Sequence, residues 1–241
     1  MQSNKRYVAH FDMLGFKTAV LRNQKEAWGA LSDLQACMSK IERMGLIDLS
    51  KGETIEDRVK CYIFSDSILM FTLGDSRADL MSILIFASQL FGDSLHACVP
   101  LRGGIAFGDF LVDLDLHLFC GVPFVRAYEL GERAQWSGIV VDDNIAEHCT
   151  KHGDPTTYGG KSTLIKWDVP LKNNNKESQW VINWPLVLKK SWKVKPPISA
   201  EEYYQAFEGL FGPYNDLQLD VKAKYENTVD FVNYVLVNSP T

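Results

Sequence analysis

The stretch CYIFSDSILMF, Cys61 to Phe71, reads as two apolar half-strands joined by Ser65-Asp66-Ser67. So short a join between two strand-forming runs is the signature of a β-hairpin. It also sets a carboxylate, Asp66, between segments built for a protein interior. A buried ionised carboxylate costs several kcal/mol unless it is paired or bound to a metal. Asp66 is therefore either a turn residue at the surface or the target of a positive partner.

Upstream, RYVAHFDML (6–14) alternates as a short strand, with Tyr7, Ala9 and Phe11 set against Val8 and His10. Gly15 follows, then a long amphipathic helical stretch in which Trp28, Leu31, Leu34, Met38, Ile41 and Met44 recur at three- and four-residue spacing. GLIDLSKGETIEDR (45–58) is polar and turn-rich and reads as a loop. Downstream, Gly74-Asp75-Ser76 opens a second helix through about Ala97, and Ser76 with Asp79 resembles a capping box. After Pro100, LRGGIAFGDFLVDLDLHLF (101–119) is strand-rich, with glycines at 103, 104 and 108 where backbones must approach or turn. Residues 122–135 read as a helix, 138–143 as a strand and 152–160 as a loop. Residues 162–172 and 178–188 read as two strands around a polar turn. Ser199 and Glu202 form a capping box, and a last helix runs from about Asp216 to Val237. The order strand, helix, hairpin, helix, strand predicts an α+β fold, with helices on a mostly antiparallel sheet of ferredoxin-like type. The expected division is a main domain over 1–190 and a C-terminal helical extension, 191–241, packed on that same domain.

The chain has 241 residues, 46% of them hydrophobic, and a formal net charge of −5. That allows a sizeable core and argues against a duplex-DNA coat protein, because phosphate contacts need clustered Lys and Arg. The most apolar run, LMSILIFASQLF, is expected to be too short to span a bilayer and to carry a polar face. No signal-peptide pattern opens the sequence. Five cysteines without a C-x-x-C pair, with Cys37, Cys61, Cys98 and Cys120 in apolar surroundings, read as free buried thiols in a reducing cytosol. The expectation is a cytoplasmic protein without nucleic-acid or membrane partners.

Asp12 ends the first strand. In a ferredoxin-like sheet that strand lies beside the hairpin, so Asp12 and Asp66 converge at one edge. Two carboxylates at neighbouring strand ends form a hard-oxygen site of the kind that Mg²⁺ or Mn²⁺ takes, with water and phosphate oxygens completing the shell. Three look-alikes are set aside. GGKST (159–163) lacks the first P-loop glycine, since residue 155 is Pro155, and it leads into a strand. HCTKH (148–152) offers half a zinc site without a second half, and a solvated helix end is the preferred reading. The RGG at 102–104 is a single instance inside an apolar strand. Glu129, Glu132 and Arg133 read as a solvated helix face.

FDMLGF (11–16), FSDSI (64–68), LRGGIAFGD (101–109) and AYEL…SGI (127–139) stand in the order and spacing of class III nucleotidyl cyclases. Over about residues 6–185 the chain resembles that family, and within it most closely the bacterial pyrimidine cyclases of the Pycsar anti-phage system. The resemblance implies a head-to-tail homodimer with two sites across the interface. It implies that Asp12 and Asp66 bind two Mn²⁺ or Mg²⁺ ions, together with the backbone carbonyl of Met13. Gly15, Phe16 and Lys17 match the turn that cradles the triphosphate. A lysine that reads adenine in ATP cyclases is replaced here by Tyr62, and the companion aspartate position falls on Leu118. An adenine-specific reading is therefore disfavoured, and Tyr62 is the candidate nucleobase contact. The family's Asn and Arg helix motif is not cleanly kept. One alignment puts Val125 and Glu129 there and another Glu129 and Arg133, with Arg126 and Arg133 as candidates for the arginine. The triphosphate lysine is Lys166 or Lys172, with Lys172 preferred. What this implies is a cyclase that turns UTP, or alternatively CTP, into the 3′,5′-cyclic monophosphate and pyrophosphate. A separate protein would read the product. A purine cyclase and a non-catalytic nucleotide-binding homologue are the competing readings.

Overall fold

The computed structural model describes residues 5–44, 46–48, 53–55, 58–152, 157–158, 161–188 and 196–238, and of 46–55, 150–161 and 187–188 the backbone alone. In chain order the elements are β1 (Lys5–Met13), α1 (Phe16–Arg22), α2 (Gln24–Arg43), β2 (Leu46–Asp48), β3 (Glu53–Ile55), β4 (Val59–Phe64) and β5 (Ser67–Thr72). Then come α3 (Arg77–His96), β6 (Leu101–Asp113), β7 (Leu118–Gly121), α4 (Val122–Arg133), β8 (Ile139–Val141) and α5 (Asp143–His152). The remainder is β9 (Thr157–Tyr158), β10 (Lys161–Ser162), β11 (Leu164–Pro170), β12 (Lys176–Ile182), α6 (Trp184–Leu188), α7 (Ala200–Tyr204), α8 (Glu208–Phe211) and α9 (Leu219–Val237).

The fold is α+β. Its main sheet runs β11-β12-β8-β6-β1-β5-β4, with β7 paired to β6. The segment β6-β1-β5-β4 is antiparallel throughout. With its two crossover helices it has the ferredoxin-like strand order expected from the sequence. One pair departs from the antiparallel plan, as β6 and β8 are parallel.

Alternation along β1 assigns the two faces. Tyr7, Ala9, Phe11 and Met13 enter the main core with the inner sides of α2 and α3 and with the C-terminal helices. Val8 belongs to a second apolar cluster with Leu69, Phe71 and Phe110 on the other face, and by the period of two His10 and Asp12 share its side. There α4 covers β1 and β6, and His10 lies between the rings of Phe124 and Tyr128 at 5.5 and 5.3 Å. The helix comes this close because Gly104 has no side chain. A Cβ there would meet the Ala127 carbonyl oxygen at 2.3 Å and the Leu130 Cβ at 2.8 Å. Gly104→Ala is expected to push α4 off the sheet and cost about 3 kcal/mol, read as a lowered urea midpoint. An unchanged midpoint would show that α4 docks without that contact.

Several expectations are corrected. The helical stretch after Gly15 breaks at Asn23, whose side chain accepts from the Lys25 and Glu26 amides and caps α2. The expected loop at 45–58 contains the ribbon β2–β3, and that at 152–160 contains β9. Residues 184–188 form a helix, not the end of a strand. Helix α3, which extends the run LMSILIFASQLF at both ends, is long and apolar enough to cross a membrane by length and composition alone. Of its most apolar 18-residue stretch, 78% is buried inside the fold. Its outer side carries a short polar strip, Gln89 and Asp93, hydrogen-bonded to each other at 2.8 Å, with the exposed His96 beyond them, whereas its serines face the core. Ser82, Ser88 and Ser94 are buried, and Ser82 and Ser94 donate to Ala78 and Phe91 carbonyls of their own helix. None of the five cysteines is in a disulfide, but Cys120 is exposed at the edge pair β6–β7, while Cys149 is buried. His148 is no solvated helix end. It packs on Phe107 and meets the Tyr7 hydroxyl at 3.0 Å. The first residues of the GGKST look-alike, the His152 side chain and the expected boundary at 190/191 lie outside the described residues.

The C-terminal helices complete the core. Phe231 of α9 packs on Trp136, Trp167 and Trp184, and Thr228 accepts from the Ser137 amide at 2.8 Å.

Candidate active site

The hairpin tip is a two-residue connection, Ser65-Asp66, between the paired residues Phe64 and Ser67. Ser65 has φ 55°, the positive first torsion of a tight hairpin turn. Ser67 is in turn the partner of Asp12 on β1, and the Asp66 carbonyl accepts from the Met13 amide at 2.8 Å. These two pairings bring Asp12 and Asp66 to one corner of the sheet.

On the other side of Asp12 the register partner is Arg102 of β6. Its guanidinium is 4% exposed, and its Nη2 donates to Asp12 Oδ2 at 3.0 Å. The same nitrogen meets the Glu132 carboxylate at the end of α4, and Nη1 donates to the Ala134 carbonyl at 3.2 Å. Glu132 is held from outside by the Lys172 ammonium. The result is a chain of alternating charge, Asp12–Arg102–Glu132–Lys172. Burial raises the Asp12 pKa, helped by the negative charge of Asp66 and opposed by Arg102. Burial also pulls Glu132 upward, but the hydrogen bond from Lys172 and the charge of Arg102 win, so its carboxyl is held below the ordinary value.

His10, two residues before Asp12 and 5% exposed, is pushed down to about 4 by burial and by Arg102. A depressed folded pKa contributes stability that is present above the unfolded value near 6.5 and is lost as pH falls through about 4. In EDTA the wild type is therefore expected to lose about 3 kcal/mol over that window from this group. His10→Phe, which keeps an aromatic ring between Phe124 and Tyr128, should be flatter by that amount in urea titrations at pH 7 and 4. Parallel pH profiles for the two proteins would remove His10 as the cause.

The other sequence candidates fall as follows. Met13 is buried, Gly15 caps α1 with φ 76°, Phe16 is buried and Lys17 is exposed. Tyr62 stands on the α4 side of the sheet against Phe119 at 4.7 Å and stacks parallel to Phe71, with His117 edge-on at 5.9 Å. Leu118, Val125 and Glu129 are exposed. Of the two lysine candidates, Lys172 joins the Asp12 cluster through Glu132. Lys166 lies over the Trp180 ring and pairs with Asp143. Arg126 pairs with Asp142 at 3.6 Å and Arg133 with Glu177.

Sequence reasoning missed Arg102 and Glu132. Arg102 had a signal, because an arginine inside the apolar strand LRGGIAF needs a buried partner. Glu132 read as a solvated face. The donor set suits a hard divalent ion. Asp12 accepts from Arg102 through Oδ2, so Asp12 Oδ1 and the Asp66 carboxylate are the oxygens that such an ion would take. Among the described residues no three His, Cys, Asp or Glu side chains gather as a metal centre. A cation here would complete its shell with water and phosphate oxygens, as Mg²⁺ does.

No family model matches the chain, and no curated protein does either. Among solved structures it is similar to the catalytic core of a rhodopsin-guanylyl cyclase with converted specificity, in complex with ATPαS. That match has 12% identity and a TM-score of 0.49, and covers 74% of this chain and 94% of the other. It is also similar to the adenylyl cyclase CyaB from P. aeruginosa, with 9% identity, a TM-score of 0.47, and 81% and 97% of the two chains covered. A class III adenylyl cyclase-like ATP-binding protein from Pseudomonas aeruginosa matches at 11% identity and a TM-score of 0.36, over 59% of this chain and 34% of its own. Similarity at this level assigns no residue a role.

Proposed function

We propose that the chain is a divalent-metal-dependent nucleotidyl cyclase acting on a pyrimidine nucleoside triphosphate, converting UTP to 3′,5′-cyclic UMP and pyrophosphate as a second messenger in bacterial anti-phage defence. The observation that carries the reading is the convergence of Asp12 and Asp66 at one sheet corner, beside a chain of charges ending in Lys172. Asp12 and Asp66 would hold Mn²⁺ or Mg²⁺, with the Met13 carbonyl as a further oxygen. Such ions neutralise charge as the ribose 3′-oxygen attacks the α-phosphorus in line and pyrophosphate leaves. Lys172 and the turn Gly15-Phe16-Lys17 would take the outgoing phosphates. Tyr62 would meet the base edge, its hydroxyl suiting a pyrimidine where a lysine would read adenine. The active form is a cytoplasmic homodimer with sites across the interface. The exposed apolar side chains of Leu111, Leu116, Leu118, Val122 and Val125 around β7 and the start of α4 support that association.

A second reading, a cyclase-like protein that binds nucleotide without turning it over, is favoured by one feature. Arg126 and Arg133, the candidates for the transition-state arginine, both carry ion pairs within the chain. Incubation with each of the four NTPs and Mn²⁺, followed by product analysis, separates the readings. Cyclic UMP is expected. Cyclic CMP would change the base, a cyclic purine product would remove the pyrimidine assignment, and no cyclic product would leave the non-catalytic reading.

A further inference from the structure

Beneath the C-terminal helices lies a cavity of about 350 Å³, within the range of small-ligand sites. One wall is Leu14, Gly15 and Thr18, the turn that directly follows Asp12 and Met13. The facing wall includes Phe211, Lys224 and Tyr225. A Cβ on Gly15 would meet the Phe211 ring at 3.3 Å, so the C-terminal segment closes tightly over that turn. The Arg22 guanidinium also borders the cavity, lying against Gly212.

Lys224 is the unusual group. It is partly buried on the side of α9 that faces the cavity, and among the described residues no hydrogen bond or ion pair holds its ammonium. Asp220, one turn earlier, influences its charge without forming a recorded ion pair. Arg102 and Lys172 repel it and Asp12 attracts it, which places it within the field of the candidate active site. Its position is fixed from behind. Thr228 donates to the Lys224 carbonyl at 2.6 Å while accepting from the Ser137 amide, and Asn227 donates to the Gln135 carbonyl at 2.7 Å. The same short segment supplies the Ala134 carbonyl to Arg102. Among the described residues the ammonium is thus held half-buried with carboxylates near it but no direct ion pair. Such burial is costly unless an anion arrives.

We propose that Lys224 is a phosphate-binding residue of this site, delivered by the C-terminal helix to the terminal phosphates of a polyphosphate bound across the cavity and the Asp12–Asp66 corner. The identity of that polyphosphate as a nucleoside triphosphate rests on the function proposed above. The binding role itself does not require turnover.

The test is calorimetric titration of the full chain with inorganic tripolyphosphate in the presence of Mg²⁺. Lys224→Met keeps the aliphatic stem, Lys224→Arg keeps the charge, and Lys222→Met removes the same charge from the same helix outside the cavity wall. Wild type is expected to bind, and Lys224→Met to weaken binding at least about tenfold. The Arg variant and Lys222→Met should stay within about threefold of wild type. Equal affinity for Lys224→Met and Lys222→Met, or no binding by the wild type, would overturn the proposal. So would a lowered unliganded Tm in Lys224→Met with unchanged affinity, because it would assign the residue to packing. Loss of binding in a protein that makes no cyclic product from any NTP would sink the catalytic reading and leave this one standing.

Discussion

Asp66→Ala is expected to abolish cyclic-nucleotide formation, by a factor of roughly a thousand or more, while the chain remains folded and keeps the assembly state of the wild type. The residue sits at a hairpin tip with its backbone carbonyl on the Met13 amide, and alanine leaves that hydrogen bond in place. What is lost is one of two carboxylates that would hold the divalent ions. Metal stabilisation of charge at a transferring phosphoryl group contributes several kcal/mol, and about 4 kcal/mol corresponds to a thousandfold in rate. The measurement is product formed per mole of protein with UTP and Mn²⁺, with size-exclusion chromatography alongside to compare the assembly state with that of the wild type. Retained turnover would remove Asp66 from the metal site, and with it the main support for the proposed reaction.

The largest expected effect on stability belongs to Arg102→Met. Methionine roughly fills the space, but Asp12 and Glu132 lose their shared cation. Breaking a buried ion pair from one side costs about 3–5 kcal/mol, because the remaining charge is left uncompensated. Most of the effect should come through Asp12, since Glu132 keeps Lys172. Adding Asp12→Asn to the Arg102→Met background should therefore recover part of the loss. The sign with pH follows from what Arg102 does to Asp12. The guanidinium favours the charged carboxylate and opposes the rise that burial causes, so its loss should cost more at pH 7 than in acid, where Asp12 is neutral. Urea denaturation in EDTA at both pH values reads the result. A variant within about 1 kcal/mol of wild type at pH 7 would show that Arg102 is not the hub of the corner.

Much of this architecture is local in origin and was legible on that account. The alternation of β1, the short join at Ser65-Asp66 and the capping boxes at Ser76 and Ser199 depend on neighbours within a few residues. The ferredoxin-like order followed from them, and with it the meeting of Asp12 and Asp66. Errors arose where a side chain's surroundings come from elsewhere. Asn23 caps α2 by folding back on its own helix, which a run of amphipathic spacing hides. Ser82 and Ser94 of α3 sit in the core because they donate to carbonyls of their own helix. His148 looks solvated until Tyr7 and Phe107 close on it.

The sequence by itself determined the strand and helix order, the hairpin, and the sheet edge at which the two aspartates meet. These are set by periodicity and turn chemistry, both short-range. Only the tertiary structure decided what stands around those aspartates. Arg102 reaches Asp12 across a strand pairing, Glu132 comes from the end of a helix and Lys172 from a later strand turn. Lys224 comes from a helix that docks last in the chain. Electrostatic contacts between residues dozens of positions apart leave no pattern in the spacing of either partner, because what joins them is the packing of whole elements.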